Sequence, residues 1–123
     1  MAHVLVVDED PVTRLVVETL LTDAGHTVVL AGEGGAGLRA MAERVPDLVI
    51  TELFISGDME GMEFLRRIRE RWPGEPILVM SSKDRLGAAT LLRIAELLGA
   101  VGFLDKPIRD RQLLETVGSI VAA

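Results

Sequence analysis

A chain of 123 residues with 49% hydrophobic side chains and no cysteine is long enough for one packed domain, and it excludes disulfides and thiolate metal sites. The net charge of −6 argues against direct nucleic-acid binding, since Arg66, Arg67, Arg69 and Arg71 are interleaved with Glu63 and Glu70 as on a solvated helix face. No apolar run nears the length of a membrane span, and Met1-Ala2-His3-Val4 lacks the basic start and apolar centre of a signal peptide, so a soluble cytoplasmic protein is expected.

Val4-Leu5-Val6-Val7 is a continuous apolar run that predicts a buried strand, while Val12, Leu15, Val16, Thr19 and Leu20 recur at helical spacing until Gly25. Pro11 suits the first turn of that helix, and Asp10 before it is the expected cap. The same pairing of strand and helix returns at 27–31 and 36–43, at 48–51 and 62–71, at 77–81 and 86–98, and at 101–104 and 113–121. Pro46, Pro73-Gly74 and Gly99 mark joints between these segments. Strands apolar on both faces, each followed by a helix, predict an α/β fold: one domain over 1–123 built on a single doubly wound five-stranded parallel sheet. The expected strand order is 2-1-3-4-5, which makes the arrangement a flavodoxin-like (βα)5 fold.

Ligands of such sheets bind beyond the carboxyl ends of the strands, near the switch between the first and third. The polar residues falling there are Asp8-Glu9-Asp10 after strand one, Glu52 ending strand three, Ser81-Ser82 ending strand four, and Asp105-Lys106-Pro107 at the end of strand five. Like charges ~4 Å apart repel by about 4 kcal/mol at an effective dielectric near ~20, so Asp8, Glu9 and Glu52 require something cationic among them.

These residues resemble a response-regulator receiver domain, the phosphorylatable module of two-component signalling. The likeness rests on Val6-Val7-Asp8-Glu9-Asp10-Pro11 with Arg14, Pro46-Asp47-Leu48-Val49-Ile50-Thr51-Glu52, Gly61-Met62-Glu63, Ser81, Leu98-Gly99-Ala100 and Leu104-Asp105-Lys106-Pro107. The resemblance implies that Asp8 and Glu9, with the Phe54 backbone carbonyl, hold Mg²⁺, and that Glu52 stands at the phosphoacceptor position. It also implies that Ser81 and Lys106 contact the phosphoryl group, and that Phe103 is the aromatic residue moving with the hydroxyl. A protein partner is implied too, a histidine kinase, effector or downstream regulator, docking on exposed parts of 86–98, 101–106 and 109–121. A homodimer through helices four and five is compatible with the same face, and catalysis by the module itself is not expected.

The departures centre on Glu52, where the family carries aspartate. Ile55-Ser56 replaces the usual methionine-proline, the loop from Ser56 to Gly61 is one residue longer, and the stretch from Ser81 to Lys106 is extended, so Mg²⁺ binding is expected to be weakened or absent. A glutamate reaches roughly one C–C bond, ~1.5 Å, farther than an aspartate, toward Lys106 or Ser81. It carries one charge against roughly two on a phosphate, which makes it a partial and permanent mimic. The same methylene spoils in-line attack, which needs the oxygen within about 3 to 3.5 Å of phosphorus.

Each residue has a plainer reading. Glu52 alone would be a surface acid, Lys106 a solvated lysine before a turn, Ser81 or Ser82 a helix cap, and Phe103, Met41, Met59, Met62 and Met80 core or loop filler. His3 and His26 show no ligand spacing. A second functional reading keeps phosphoryl transfer with a nonstandard acceptor, Glu52 itself or Asp58. A third is a haloacid-dehalogenase-like phosphatase, in which Asp8 attacks, Asp10 is the acid/base, and Ser81 and Lys106 match later motifs. Against it, no acidic metal pair on a further strand is seen after Lys106, and there is no cap segment.

Overall fold

The computed structural model describes residues 1–82 and 87–122. Its elements alternate as β1 (His3–Val7), α1 (Pro11–Asp23), β2 (Thr27–Ala31), α2 (Gly34–Glu43), β3 (Leu48–Glu52), α3 (Gly61–Arg71), β4 (Ile77–Ser81), α4 (Ala88–Leu97), β5 (Gly102–Asp105) and α5 (Asp110–Val121). The strands form one parallel sheet in the order β2-β1-β3-β4-β5, as expected.

The apolar runs explain the layering. β1, β3 and β4 are buried at every position, because successive side chains enter two different cores. Leu5, Val7, Val49, Ile77 and Val79 pack with Met41 of α2, Phe64, Leu65 and Ile68 of α3, and Leu91 and Ala95 of α4. The alternate residues Val4, Val6, Leu48, Ile50, Leu78 and Met80 pack with Val17 and Leu21 of α1 and Leu113 and Val117 of α5. Each fully buried Val or Leu side chain stabilises the fold by roughly 1.5–3 kcal/mol relative to exposure, so a one-residue slip of a central strand would exchange both cores at once.

The register brings the strand ends to one edge: Val7 pairs with Thr51, Glu52 with Met80, and Ser81 with Asp105. The chain leaves that edge under close constraint. A Cβ on Gly61 would lie 1.8 Å from the Leu53 carbonyl oxygen, so only glycine lets α3 start against the exit of β3. Gly99 takes φ 77° in the turn from α4 to β5.

Element ends differ from expectation where polar residues open a helix or an apolar one lies outside a strand. α5 starts at Asp110, not 113, because Asp110, Arg111 and Gln112 are exposed and carry no apolar period. Val101 precedes β5 and is 53% exposed. Leu86, the expected first residue of helix four, lies outside the described residues, and α4 begins at Ala88 behind Gly87.

Candidate functional site

Three side chains from three strand ends meet at the carboxyl edge. Lys106 Nζ lies 2.6 Å from Asp8 Oδ2 and 2.8 Å from Glu52 Oε1. Asp8 and Glu52 are 1% and 8% exposed, so each needs such a partner to stay charged. Their second oxygens are also held, Asp8 Oδ1 by the Asp10 amide at 2.8 Å and Glu52 Oε2 by the Phe54 amide at 3.0 Å. Burial pulls the Lys106 pKa down, but the hydrogen bonds and charges of Asp8 and Glu52 outweigh it and leave the ammonium above the ordinary lysine value.

Backbone contacts fix this triad. Arg14 Nη1 donates to the Asp8 carbonyl at 2.6 Å, which ties the exit of β1 to α1. The Lys106 amide donates to the Ser81 carbonyl at 2.9 Å, so β4 sets the height of the lysine. Asp10 caps α1, accepting from the Val12 amide at 3.0 Å and the Thr13 hydroxyl at 2.8 Å. The Thr13 hydroxyl, then the Val12 amide, hold its carboxyl below the usual range.

A profile of the response regulator receiver domain matches residues 4–118. The chain belongs to that family. The transcriptional regulatory protein GlrR of Escherichia coli is 32% identical over 116 residues, 94% of this chain and 25% of GlrR. The transcriptional activator protein ExaE of Pseudomonas putida is 36% identical over 121 residues, 97% of this chain and 55% of ExaE. The chain therefore spans about a quarter to a half of the length of these curated relatives. Among solved structures, the receiver domain of NtrX from Brucella abortus superposes with a TM-score of 0.89 at 26% identity, with 98% of both chains covered. The chain is thus a receiver of two-component signalling, and the matches give the dehalogenase-type phosphatase no support. Asp10, the acid/base of that reading, is engaged as a helix cap.

The two residues assigned to Mg²⁺ by resemblance have different partners in this receiver. Asp8 faces Lys106, whereas exposed Glu9 accepts a 2.6 Å hydrogen bond from the Ser56 hydroxyl on the loop after β3. Mg²⁺ demands near-octahedral oxygen ligands at roughly 2.0–2.1 Å. Among the described residues, no group of three or more His, Cys, Asp or Glu side chains is arranged to hold a metal. Phe54, whose carbonyl was the expected third ligand, meets Glu52 through its amide.

Ser81 is fully buried, and its hydroxyl has no hydrogen-bond partner among the described residues. With no partner it does not cap α4, which starts behind Gly87. Phe103 is half-buried and packs against the core shared by α2, α3 and α4. Asp58 is turned to α2: its Oδ1 accepts from the Gly35 amide at 3.1 Å, and a Cβ on Gly35 would lie 2.0 Å from its Oδ2. His26 Nδ1 accepts from the Ala2 amide at 3.1 Å, and His3 Nδ1 lies 3.0 Å from the Thr27 hydroxyl, both at the opposite edge of the sheet. Sequence reasoning missed the Ser56 contact with Glu9 and the capping role of Asp58. Ser56 stands where methionine-proline was expected, so that substitution was the available signal.

Proposed function

We propose that this receiver signals without being phosphorylated, with Glu52 at the acceptor position acting as a built-in, permanent acid. The bridge from Lys106 to both Asp8 and Glu52 is the observation that carries this reading. Both Glu52 oxygens are committed, one to an ammonium and one to a backbone amide, so neither is poised for attack on phosphorus. Lys106 supplies the positive charge that a divalent ion would bring, and Mg²⁺ is not required for the fold of the site.

The module has no catalytic role of its own and acts by binding a protein, a histidine kinase, effector or downstream regulator. Leu92 and Leu97 of α4 and Val101 before β5, exposed by 45, 74 and 53%, offer an apolar surface on the expected docking face, where a second copy is a further occupant. A nonstandard acceptor finds less support, because Asp58 is engaged on the Gly35 amide.

The test is intact-mass spectrometry after incubation with acetyl phosphate and Mg²⁺, comparing the native chain with Glu52→Asp. Gain of one phosphoryl mass by the aspartate variant alone is the expected result. Gain by the native chain would overturn the proposal.

A further inference from the structure

At the amino edge of the sheet, opposite Lys106, the turn from α3 to β4 buries a carboxyl group that the signalling reading does not use. Glu75 is 6% exposed, and its Oε2 has no hydrogen-bond partner among the described residues. A buried acid in this condition is costly to ionise. Burial, and next the facing charge of Asp47, push its carboxyl up to about 7 against the opposing pull of Arg69.

Arg69 is the cation facing Glu75, yet its guanidinium is directed at backbone. Nη1 donates to the Glu75 carbonyl at 2.6 Å and the Pro73 carbonyl at 3.3 Å, and Nη2 donates to the Gly99 carbonyl at 2.6 Å. One side chain of α3 therefore ties the entry to β4 to the turn between α4 and β5. The turn residue it holds is Gly99, where a Cβ would lie 3.3 Å from Arg69 Nε.

We propose that Glu75 is a proton-binding site whose ionisation draws Arg69 off the Gly99 carbonyl and loosens the turn between α4 and β5. With Glu75 neutral, the guanidinium stays on the carbonyls of Pro73, Glu75 and Gly99. With Glu75 charged, Oε2 becomes a strong acceptor in a poorly solvated place, and a charge-assisted bond to Arg69 is worth more than one to a neutral carbonyl. Asp47 cannot relieve the new charge. It is itself acidic, and its Oδ2 is held on the His3 amide at 2.8 Å. His3 donates that amide to Asp47, and burial and then Arg44 lower the pKa of its imidazole. The remaining hydrogen bonds of the turn, Gly99 to the Glu96 carbonyl and Val101 to the Ile77 carbonyl, run between backbone groups and do not titrate.

The experiment is an NMR titration of the whole chain from about pH 5 to about pH 9, following the Glu75 side-chain carboxyl carbon, the Arg69 Nε–H and the amides of Gly99 and Ala100. One shared midpoint near neutrality is expected, and Glu75→Gln should remove the step from the Arg69 and turn signals. A Glu75 midpoint in the ordinary carboxylate range, or a turn that fails to follow Glu75, would overturn the proposal. The native titration decides the matter even if the glutamine variant does not fold, because the carboxyl carbon reports Glu75 directly. The readout is the turn itself, so the result does not depend on Glu52 or on what binds the α4 face.

Discussion

The two edges of the sheet solve the same problem in opposite ways. At the carboxyl edge, Asp8 and Glu52 are buried against one ammonium that satisfies both. At the amino edge Glu75 is as buried as Glu52, but the cation facing it is occupied with carbonyl oxygens and one carboxyl oxygen has no hydrogen-bond partner among the described residues. Burial is nearly equal; the difference is whether a cation is aimed at the acid. Matched charge makes a fixed structural feature, and unmatched charge makes a group that exchanges its proton near neutral pH.

Breaking the match at the carboxyl edge should have the largest effect. Lys106→Met leaves two buried carboxylates facing each other and is expected to destabilise the fold by roughly 3–5 kcal/mol in chemical denaturation. Adding Glu52→Gln should recover part of that loss. If the double variant is no more stable than the single one, the lysine bridge is not what holds the edge together.

The amino edge should respond to pH in the direction its mismatch dictates. Glu75 has a carboxyl raised from 4.5 to about 7, so the folded state holds the proton more tightly than the unfolded chain. Its contribution to stability is fully present below pH 4.5, falls as pH rises toward about 7, and is lost above that, a change of about 3 kcal/mol for a shift of this size. Glu75→Gln should flatten the stability profile in that window and leave the variant more stable than the native chain at pH 8. A native profile that is flat between pH 5 and 7 would place Glu75 with the ordinary acids and erase the contrast between the edges.

The two edges also differed in how far they could be read from the chain. Asp8, Glu52 and Lys106 each close an apolar strand, so a parallel sheet in the order 2-1-3-4-5 brings them together from topology alone. Glu75 sits between Gly74 and Pro76 in what reads as a turn, and nothing local says that Asp47 and Arg69 enclose it. The Ser56 contact with Glu9 spans 47 residues and depends on the path of a loop. The polar opening of α5 escaped because apolar periodicity begins only at Leu113. What alternation and strand ends encode was legible; what long-range burial decides was not.

A third acid tests whether burial matters at all when a partner is present. Asp58 lies in an exposed loop, like neither Glu52 nor Glu75, yet it has a defined partner in the Gly35 amide at the start of α2. Glu33, at the N-cap position itself, makes no side-chain cap, so Asp58 takes that role from a distant segment. Because water can replace the contact, Asp58→Ala should cost only about 1 kcal/mol, the usual value of a lost cap, and Asp58→Asn should retain most of it. The effect should appear as faster amide exchange in the first turn of α2 and not in the Lys106 triad. A loss as large as that of Lys106→Met would mean that the loop after β3 is part of the carboxyl-edge lock, and that Asp58 helps hold Ser56 against Glu9.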